Sequence, residues 1–350
     1  MQVLSGNYYF EIYFFTGSHV PFVSVGTIGL TFQGIPSLDT LLPHEQYLTN
    51  ETAMPLTCFH NPPVFHQFLD LLMIDSHHHF WNYSSDQYPW IGEGMQKIAH
   101  SFLPQNLIDV AQPSGISGVI SVQARQTLDE TSWLLELAED SDFIRGVVGW
   151  VPLKSKDLTS TLDQYAHHPK LVGVRHVVQD ETDGFLLDSV FNRGIDALLE
   201  TGLVYDLLMF PHQLKESIQF VDLHPEQVFV LDHLAKPRIH KDHYDSDWAR
   251  DIKDLAKRQN VSVKFSGLTT EVKSQPWSVA MLKPYWDMAI EAFGPQRIMY
   301  GSDWPVCLLE TEYNQWVDAV KEFAGELSQA EHNQFFRENC EKAYELKTTS

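Results

Sequence analysis

Residues 72–81 read LMIDSHHHFW, and this stretch shows the pattern on which the fold prediction rests. An apolar run, 72–74, is followed within a few residues by polar side chains that can take part in chemistry. A strand buried in a parallel sheet is apolar along its length, and functional side chains gather at its carboxyl end. A fold built from such units would repeat this pattern along the chain.

The pattern does recur. From residue 73 onward, short apolar runs alternate with longer segments whose apolar residues have helical spacing. Eight βα repeats within residues 73–350 are typical of a closed barrel, so we predict an α/β fold of the TIM-like (β/α)8 type. A doubly wound open sheet is the alternative. The eight runs are 72–74, 118–122, 144–151, 171–174, 203–208, 228–231, 261–263 and 298–300.

Polar side chains lie within or directly after seven of these runs. In a barrel the carboxyl ends of all strands meet on one face, so these side chains would share one cleft. An open sheet would instead concentrate its chemistry at a single switch point. The distribution therefore favours the barrel. The side chains concerned are His77, His79, Gln123, Arg125, Arg175, His176, Asp206, Asp232, His233, Lys264, Ser266, Ser302 and Asp303.

Residues 1–72 differ from the rest of the chain. Residues 1–96 contain neither Lys nor Arg, and little before residue 72 shows sustained strand or helix periodicity. A short piece such as 22–30 could be a strand, although its glycines weaken the pattern. We therefore predict an N-terminal extension of unknown role over 1–72 and the barrel over 73–350.

Composition and charge limit the possible partners. The formal net charge of -22 would repel nucleic acid and anionic membranes. The three cysteines form neither a disulfide framework nor a CxxC pair, and no apolar stretch reaches the roughly 18 residues that span a bilayer. These features predict a cytoplasmic protein that binds a small molecule, and they leave its oligomeric state open.

The candidate catalytic residues come from the first and last runs. His77 and His79 lie on the same side of an extended chain, because strand side chains alternate, and can bind one metal ion or one carbonyl group. Asp303 follows the last run, where its carboxylate could bind the same metal or accept a proton from water. Its apolar surroundings predict a raised pKa. A turn-capping role for Asp303 is the alternative, which the His pair makes less favourable.

Several motifs together resemble a known family. The chain is similar to the lactonase branch of the amidohydrolase superfamily, which includes L-fuconolactone and L-rhamnonolactone hydrolases and is related to 2-pyrone-4,6-dicarboxylate lactonases. The resemblance covers residues 73–346 and fails for 1–72. The motifs are DSHHHFW (75–81), GVVGWV (146–151), GVRH (173–176), VLDHLAKP (230–237), KFSG (264–267) and GSDWPV (301–306).

The resemblance implies a hydrolase that opens a sugar-acid lactone with an activated water. Its pattern implies that His77, His79 and Asp303 form the catalytic centre, with Arg175, His176 and His233 facing the substrate. The same three residues would hold one divalent ion, with zinc expected, and a metal-independent site is the other possibility. A two-metal centre is not expected, because no Lys follows the fourth run.

The remaining assignments keep their alternatives. We expect His233 to take part in catalysis and Gln123 to contact the substrate. Four tryptophans, Trp81, Trp90, Trp150 and Trp304, could stack on a sugar ring or only wall the cleft, and large aromatic residues usually serve in packing first. A decarboxylase or an amide hydrolase could use the same barrel. A catalytically silent ligand-binding protein is disfavoured by the intact His77, His79 and Asp303.

Overall fold

The computed structural model describes residues 6–13, 24–32, 73–273 and 275–346. The chain divides into two compact units, Met1–Asn61 and Pro62–Ser350. In the first unit, β1 (Gly6–Tyr13) and β2 (Ser24–Phe32) pair as antiparallel strands. The predicted boundary after residue 72 stays a prediction, because 33–72 lie outside the described residues.

The second unit contains the predicted barrel. Eight strands pair in parallel, each with the next along the chain, and helices alternate with them. This confirms the (β/α)8 fold and excludes the doubly wound alternative, whose strand order is not sequential. The strands are β3 (Met73–His78), β4 (Ile116–Val122), β5 (Ile144–Gly149), β6 (Leu171–Val177), β7 (Val204–Leu208), β8 (Phe229–Leu231), β9 (Val261–Phe265) and β10 (Ile298–Tyr300).

The barrel closes between β3 and the residues that follow β10. His78 and Trp304 form a parallel bridge. The backbone N–H of Asp303 donates to the carbonyl of His77 at 2.8 Å, and the N–H of His79 donates to the carbonyl of Trp304 at 2.7 Å. These backbone bonds place the His pair and Asp303 side by side.

The helices surround the barrel with their apolar faces buried. In α6 (Ser246–Leu255), for example, Trp248, Ile252 and Leu255 are buried, and the Asp245 carboxylate caps the first turn. Among the described residues, no helix combines the length and apolar character that a membrane crossing requires. The other helices are α1 (Pro104–Ala111), α2 (Leu128–Glu139), α3 (Leu158–Tyr165), α4 (Ser189–Leu199), α5 (Leu214–Leu223), α7 (Val279–Phe293), α8 (Tyr313–Ala324), α9 (Gln329–Asn333) and α10 (Asn339–Ala343).

Four strands, β3, β4, β6 and β9, are longer than their apolar runs predicted. β6 continues through Arg175 and His176, and β9 continues through Lys264, so these residues lie within strands instead of after them. An apolar run ends at the first charged residue. In this barrel, however, Arg175 and Lys264 are buried among charged partners, and the strand continues past them.

The barrel interior is layered. At the amino-terminal end of the strands, inward-facing apolar side chains such as Val204 and Val230 pack against Tyr344, which directly follows α10. Two residues further along the chain come Asp206, within β7, and Asp232, directly after β8, on the same face. Arg175 and Lys264 pair with them. An ionic layer thus lies between the apolar floor and the carboxyl ends of the strands.

Candidate active site

Three side-chain atoms meet at the carboxyl ends of β3 and β10. Nε2 of His77 lies 3.2 Å from Nε2 of His79, and Oδ1 of Asp303 lies 3.8 and 3.5 Å from these two atoms. Ligand atoms around one tetrahedral zinc ion are separated by about 3.3 Å. The donor types and their spacing therefore fit a single divalent ion, and the structure brings together the three residues predicted to share one.

Hydrogen bonds orient the two imidazoles. Nδ1 of His79 lies 2.8 Å from the carbonyl oxygen of Val122 and must donate to it, which leaves the Nε2 lone pair facing His77 and Asp303. Nδ1 of His77 lies 3.2 Å from both Oδ1 of Asp232, which can only accept a hydrogen bond, and Nζ of Lys264, which can only donate one. Such outer partners commonly fix metal-binding histidines.

His233 joins this cluster from an unusual backbone turn. Residues 233–236 after β8 all have left-handed φ values between 51° and 57° without a glycine among them, and Asp303 has φ 58°. Each such residue costs about 1–2 kcal/mol, so the surrounding packing must hold the turn in place. The turn brings Nε2 of His233 to 3.8 Å from Oδ1 of Asp303, while its Nδ1 contacts Oγ of Ser266 at 2.8 Å.

The electrostatics of Asp303 differ from the prediction. Burial raises the pKa of this carboxyl, but His233, His79 and Lys236 together outweigh burial and hold the pKa below its ordinary value. The expectation of a raised pKa was wrong, because it considered the apolar neighbours in sequence and not the histidine and lysine side chains that lie close in space. Asp303 is consequently ionised at neutral pH.

His77 and His233 are neutral at neutral pH. Burial lowers the pKa of His233 to about 4 and the pKa of His77 well below its usual value. A neutral imidazole offers one lone pair and one N–H, so each ring can bind a cation or hydrogen-bond to an oxygen.

Arg175 and Gln123 line the cleft, as predicted, but they also bind each other. Nη1 of Arg175 donates to Oδ2 of Asp232 at 2.9 Å, and Nη2 donates to Oε1 of Gln123 at 3.1 Å. Nη1 also lies 3.5 Å from Nε2 of His77. Most of the guanidinium group is therefore hydrogen-bonded to protein groups and is not available to bind a substrate carboxylate.

The cleft above the cluster has a volume of about 1010 Å³. His79, His233 and Asp303 line its inner end. Side chains from the loops after the strands form much of its wall. Among them, Arg125 and Trp90 were candidates from the sequence and Lys236 was ambiguous between a ligand and a structural ion pair. Gln179, Glu271 and Lys273 were not predicted, because loops carry no periodicity.

His176 lies elsewhere, so the prediction that it faces the substrate in this cleft is not supported. Its Nε2 contacts Oε1 of Glu181 at 2.8 Å, and its ring stacks on Phe185. These residues line a second cavity of about 590 Å³. Adjacent strand residues point to opposite sides of a sheet; because Arg175 points into the barrel, His176 points out.

Trp81 and Trp304 are also absent from the cleft wall. Trp81 is fully buried and donates from Nε1 to the carbonyl of His100 at 2.7 Å, and Trp304 packs edge-on against Phe102. Their alternative role as packing residues accounts for both positions. Trp90, which packs against Trp81 at 5.5 Å between ring centroids, is the tryptophan that lines the cleft.

Comparison with known proteins identifies a family, individual proteins and a solved structure that this chain resembles. A family model described as amidohydrolase matches residues 74–346. The chain is 38% identical over 288 residues to L-fucono-1,5-lactonase from Burkholderia multivorans, covering 79% of this chain and 96% of that protein. It is 24% identical over 200 residues to L-rhamnono-gamma-lactonase from Scheffersomyces stipitis, covering 50% and 59%. A crystal structure of an amidohydrolase from Burkholderia multivorans with bound zinc superposes with a TM-score of 0.76 at 38% identity, covering 79% of this chain and all of that one.

Proposed function

The chain belongs to the amidohydrolase family, and on that premise we propose that it hydrolyses the ester bond of a sugar-acid lactone to give the open-chain hydroxy acid. The observation that carries the proposal is the cluster of His77, His79 and Asp303 at the inner end of a wide cleft. The names of two relatives, L-fucono-1,5-lactonase and L-rhamnono-gamma-lactonase, support this substrate class.

The reaction adds the oxygen of water to the lactone carbonyl carbon and breaks the bond from that carbon to the ring oxygen. Asp303 is ionised and accepts the proton that the water loses. The proton then passes to the departing ring oxygen, which becomes a hydroxyl group. The Nη1 atom of Arg175, 3.5 Å from Nε2 of His77, lies close enough to the centre to stabilise negative charge on the carbonyl oxygen.

We propose that His77, His79 and Asp303 hold one divalent ion, with zinc as the expected metal. The relative crystallised with bound zinc supports this choice, as does the spacing of the three donor atoms. Bound there, such an ion would act as a Lewis acid that stabilises negative charge on oxygen and makes water more acidic.

The metal proposal predicts one zinc per chain. His79→Ala should weaken zinc binding at least about tenfold, because it removes one of the three metal ligands. Loss of even a hydrogen-bond partner of such a ligand commonly lowers metal affinity that much. Metal analysis and calorimetric titration of the metal-free protein measure this. His176→Ala is the matched control, since that imidazole lies at the second cavity, and it should bind zinc normally. Equal zinc binding by both variants would exclude this site.

The cleft wall favours a hydroxylated ring. Lys236, whose Nζ donates to Oε1 of Gln179 at 2.7 Å, has further N–H groups to offer, and Glu271 and Arg125 line the same cleft. Trp90 adds an aromatic surface. A substrate without hydroxyl groups would leave these polar groups without partners, which carries a desolvation cost.

The function is tested with a panel of lactones assayed by acid release. We expect kcat/KM for L-fucono-1,5-lactone or another aldonolactone to exceed that for an unsubstituted six-membered lactone by at least about tenfold. Equal rates would contradict the assignment of a sugar-acid substrate. Hydrolysis of none of them would favour the alternatives of a decarboxylase, an amide hydrolase or a silent binding protein.

A further inference from the structure

The ionic layer beneath the active site consists of four buried charged side chains: Arg175, Asp206, Asp232 and Lys264. Most (β/α)8 barrels fill the interior with branched apolar residues. Burying charges is unfavourable unless the pairing is good, and apolar replacements are often at least as stable. Stability alone is therefore a poor explanation for this layer, and its contacts with the residues above and below it suggest another.

Lys264 connects the ionic layer to the catalytic cluster. Its Nζ atom lies 2.6 Å from Oδ2 of Asp206, 3.0 Å from Oδ1 of Asp232 and 3.2 Å from Nδ1 of His77. The ammonium thus touches the His77 ring on the side opposite to Nε2, the atom that faces His79 and Asp303. Asp232 contacts the same Nδ1 atom of His77 and also pairs with Lys264. A shift of Lys264 would therefore change the positions of both side chains that contact Nδ1.

Tyr344 contacts the ionic layer on the side that faces the apolar floor. Its hydroxyl lies 2.9 Å from both carboxylate oxygens of Asp206, and its ring lies 5.4 Å from Nζ of Lys264. Tyr344 follows the last helix and does not line the cleft. The path from Tyr344 through Asp206 and Lys264 to His77 is buried along its whole length.

We propose that Tyr344 is a positioning residue for His77: by fixing Asp206 and Lys264 it sets the orientation of the imidazole that faces the reacting centre. The inference rests on the proposed function, because His77 belongs to the proposed lactonase centre. It assigns a catalytic contribution to the C-terminal segment, which lies at the opposite end of the barrel interior from the substrate.

The decisive variant is Tyr344→Phe, which removes only the hydroxyl. Asp206 then loses a partner, and Lys264 and His77 can shift. We expect kcat to fall about tenfold with KM changed less than about twofold, because misorientation affects the reacting groups more than substrate binding. We also expect zinc to bind about tenfold more weakly, and the ¹⁵N shifts of the His77 ring, assigned by their loss in His77→Asn, to change.

The matched control is Tyr205→Phe. Tyr205 is also fully buried and precedes Asp206 on β7, but its hydroxyl has no hydrogen-bond partner among the described residues. This control should leave kcat, zinc affinity and the His77 shifts unchanged. All comparisons are made well below the lower Tm of the two variants, so that both are folded.

A merely structural Tyr344 would give a different result. If Tyr344→Phe lowers Tm but matches Tyr205→Phe in zinc affinity and in the His77 shifts, the proposal is overturned. These two measurements need no substrate. If the unmodified chain hydrolyses no lactone, the proposed function fails, while zinc affinity and the His77 shifts still decide the role of Tyr344.

Discussion

Asp303→Asn is expected to lower kcat for lactone hydrolysis by at least about a hundredfold, the usual effect of losing a general base. The substitution keeps the size and shape of the side chain, so the contacts of Oδ1 with His77, His79 and His233 remain possible. It removes the negative charge and the proton acceptor. Steady-state kinetics with the best aldonolactone of the panel measure the loss.

The control for this variant is Asp183→Asn, which neutralises an exposed carboxylate at the second cavity. Its kcat should remain within about twofold of the unmodified protein, because surface charges act weakly over distance. A rate near normal for Asp303→Asn would show that another group accepts the proton, and the assignment of Asp303 would then be abandoned.

Gly267→Ala is expected to reduce kcat by about a hundredfold through His233. Gly267 has a φ of 67°, and a Cβ atom added there would lie 2.6 Å from Nδ1 of His233 and 3.1 Å from Oδ2 of Asp303. Relieving the first contact requires the imidazole or the turn to move by close to 1 Å. A displacement of about 1 Å in an active site can lower the rate about a hundredfold.

Gly202→Ala separates this effect from backbone strain. Gly202 has a similar φ of 75°, but an added Cβ there meets nothing within 4 Å. Both variants should lose about 1–2 kcal/mol of unfolding free energy from the left-handed conformation, measured by denaturant unfolding. Only Gly267→Ala should also lose activity. Equal kcat values for the two variants would show that the position of His233 has no part in the reaction.

The sequence by itself determined the barrel and the central cluster. The eight apolar runs predicted the parallel strands because a strand buried on both faces must be apolar along its length. The His-x-His pair was predictable because strand side chains alternate with a period of two. Asp303 could be joined to this pair because the first and last strands of a closed barrel are neighbours.

Only the tertiary structure decided which polar side chains point into the cleft. Arg175 and His176 are adjacent in sequence, but they point to opposite sides of β6, and strand direction alone does not tell which one faces inward. The left-handed turn at 233–236 was not predictable either, because it has no glycine and is held by tertiary packing.

The charges of the site also depend on the tertiary structure. The lowered pKa of Asp303 comes from His233, His79 and Lys236, which lie far from it in sequence. Tyr344 reaches Asp206 from 138 positions along the chain. Strand patterns are local and can be read along the chain, whereas the pairing of buried charges depends on distances of a few ångströms that exist only after the barrel has closed.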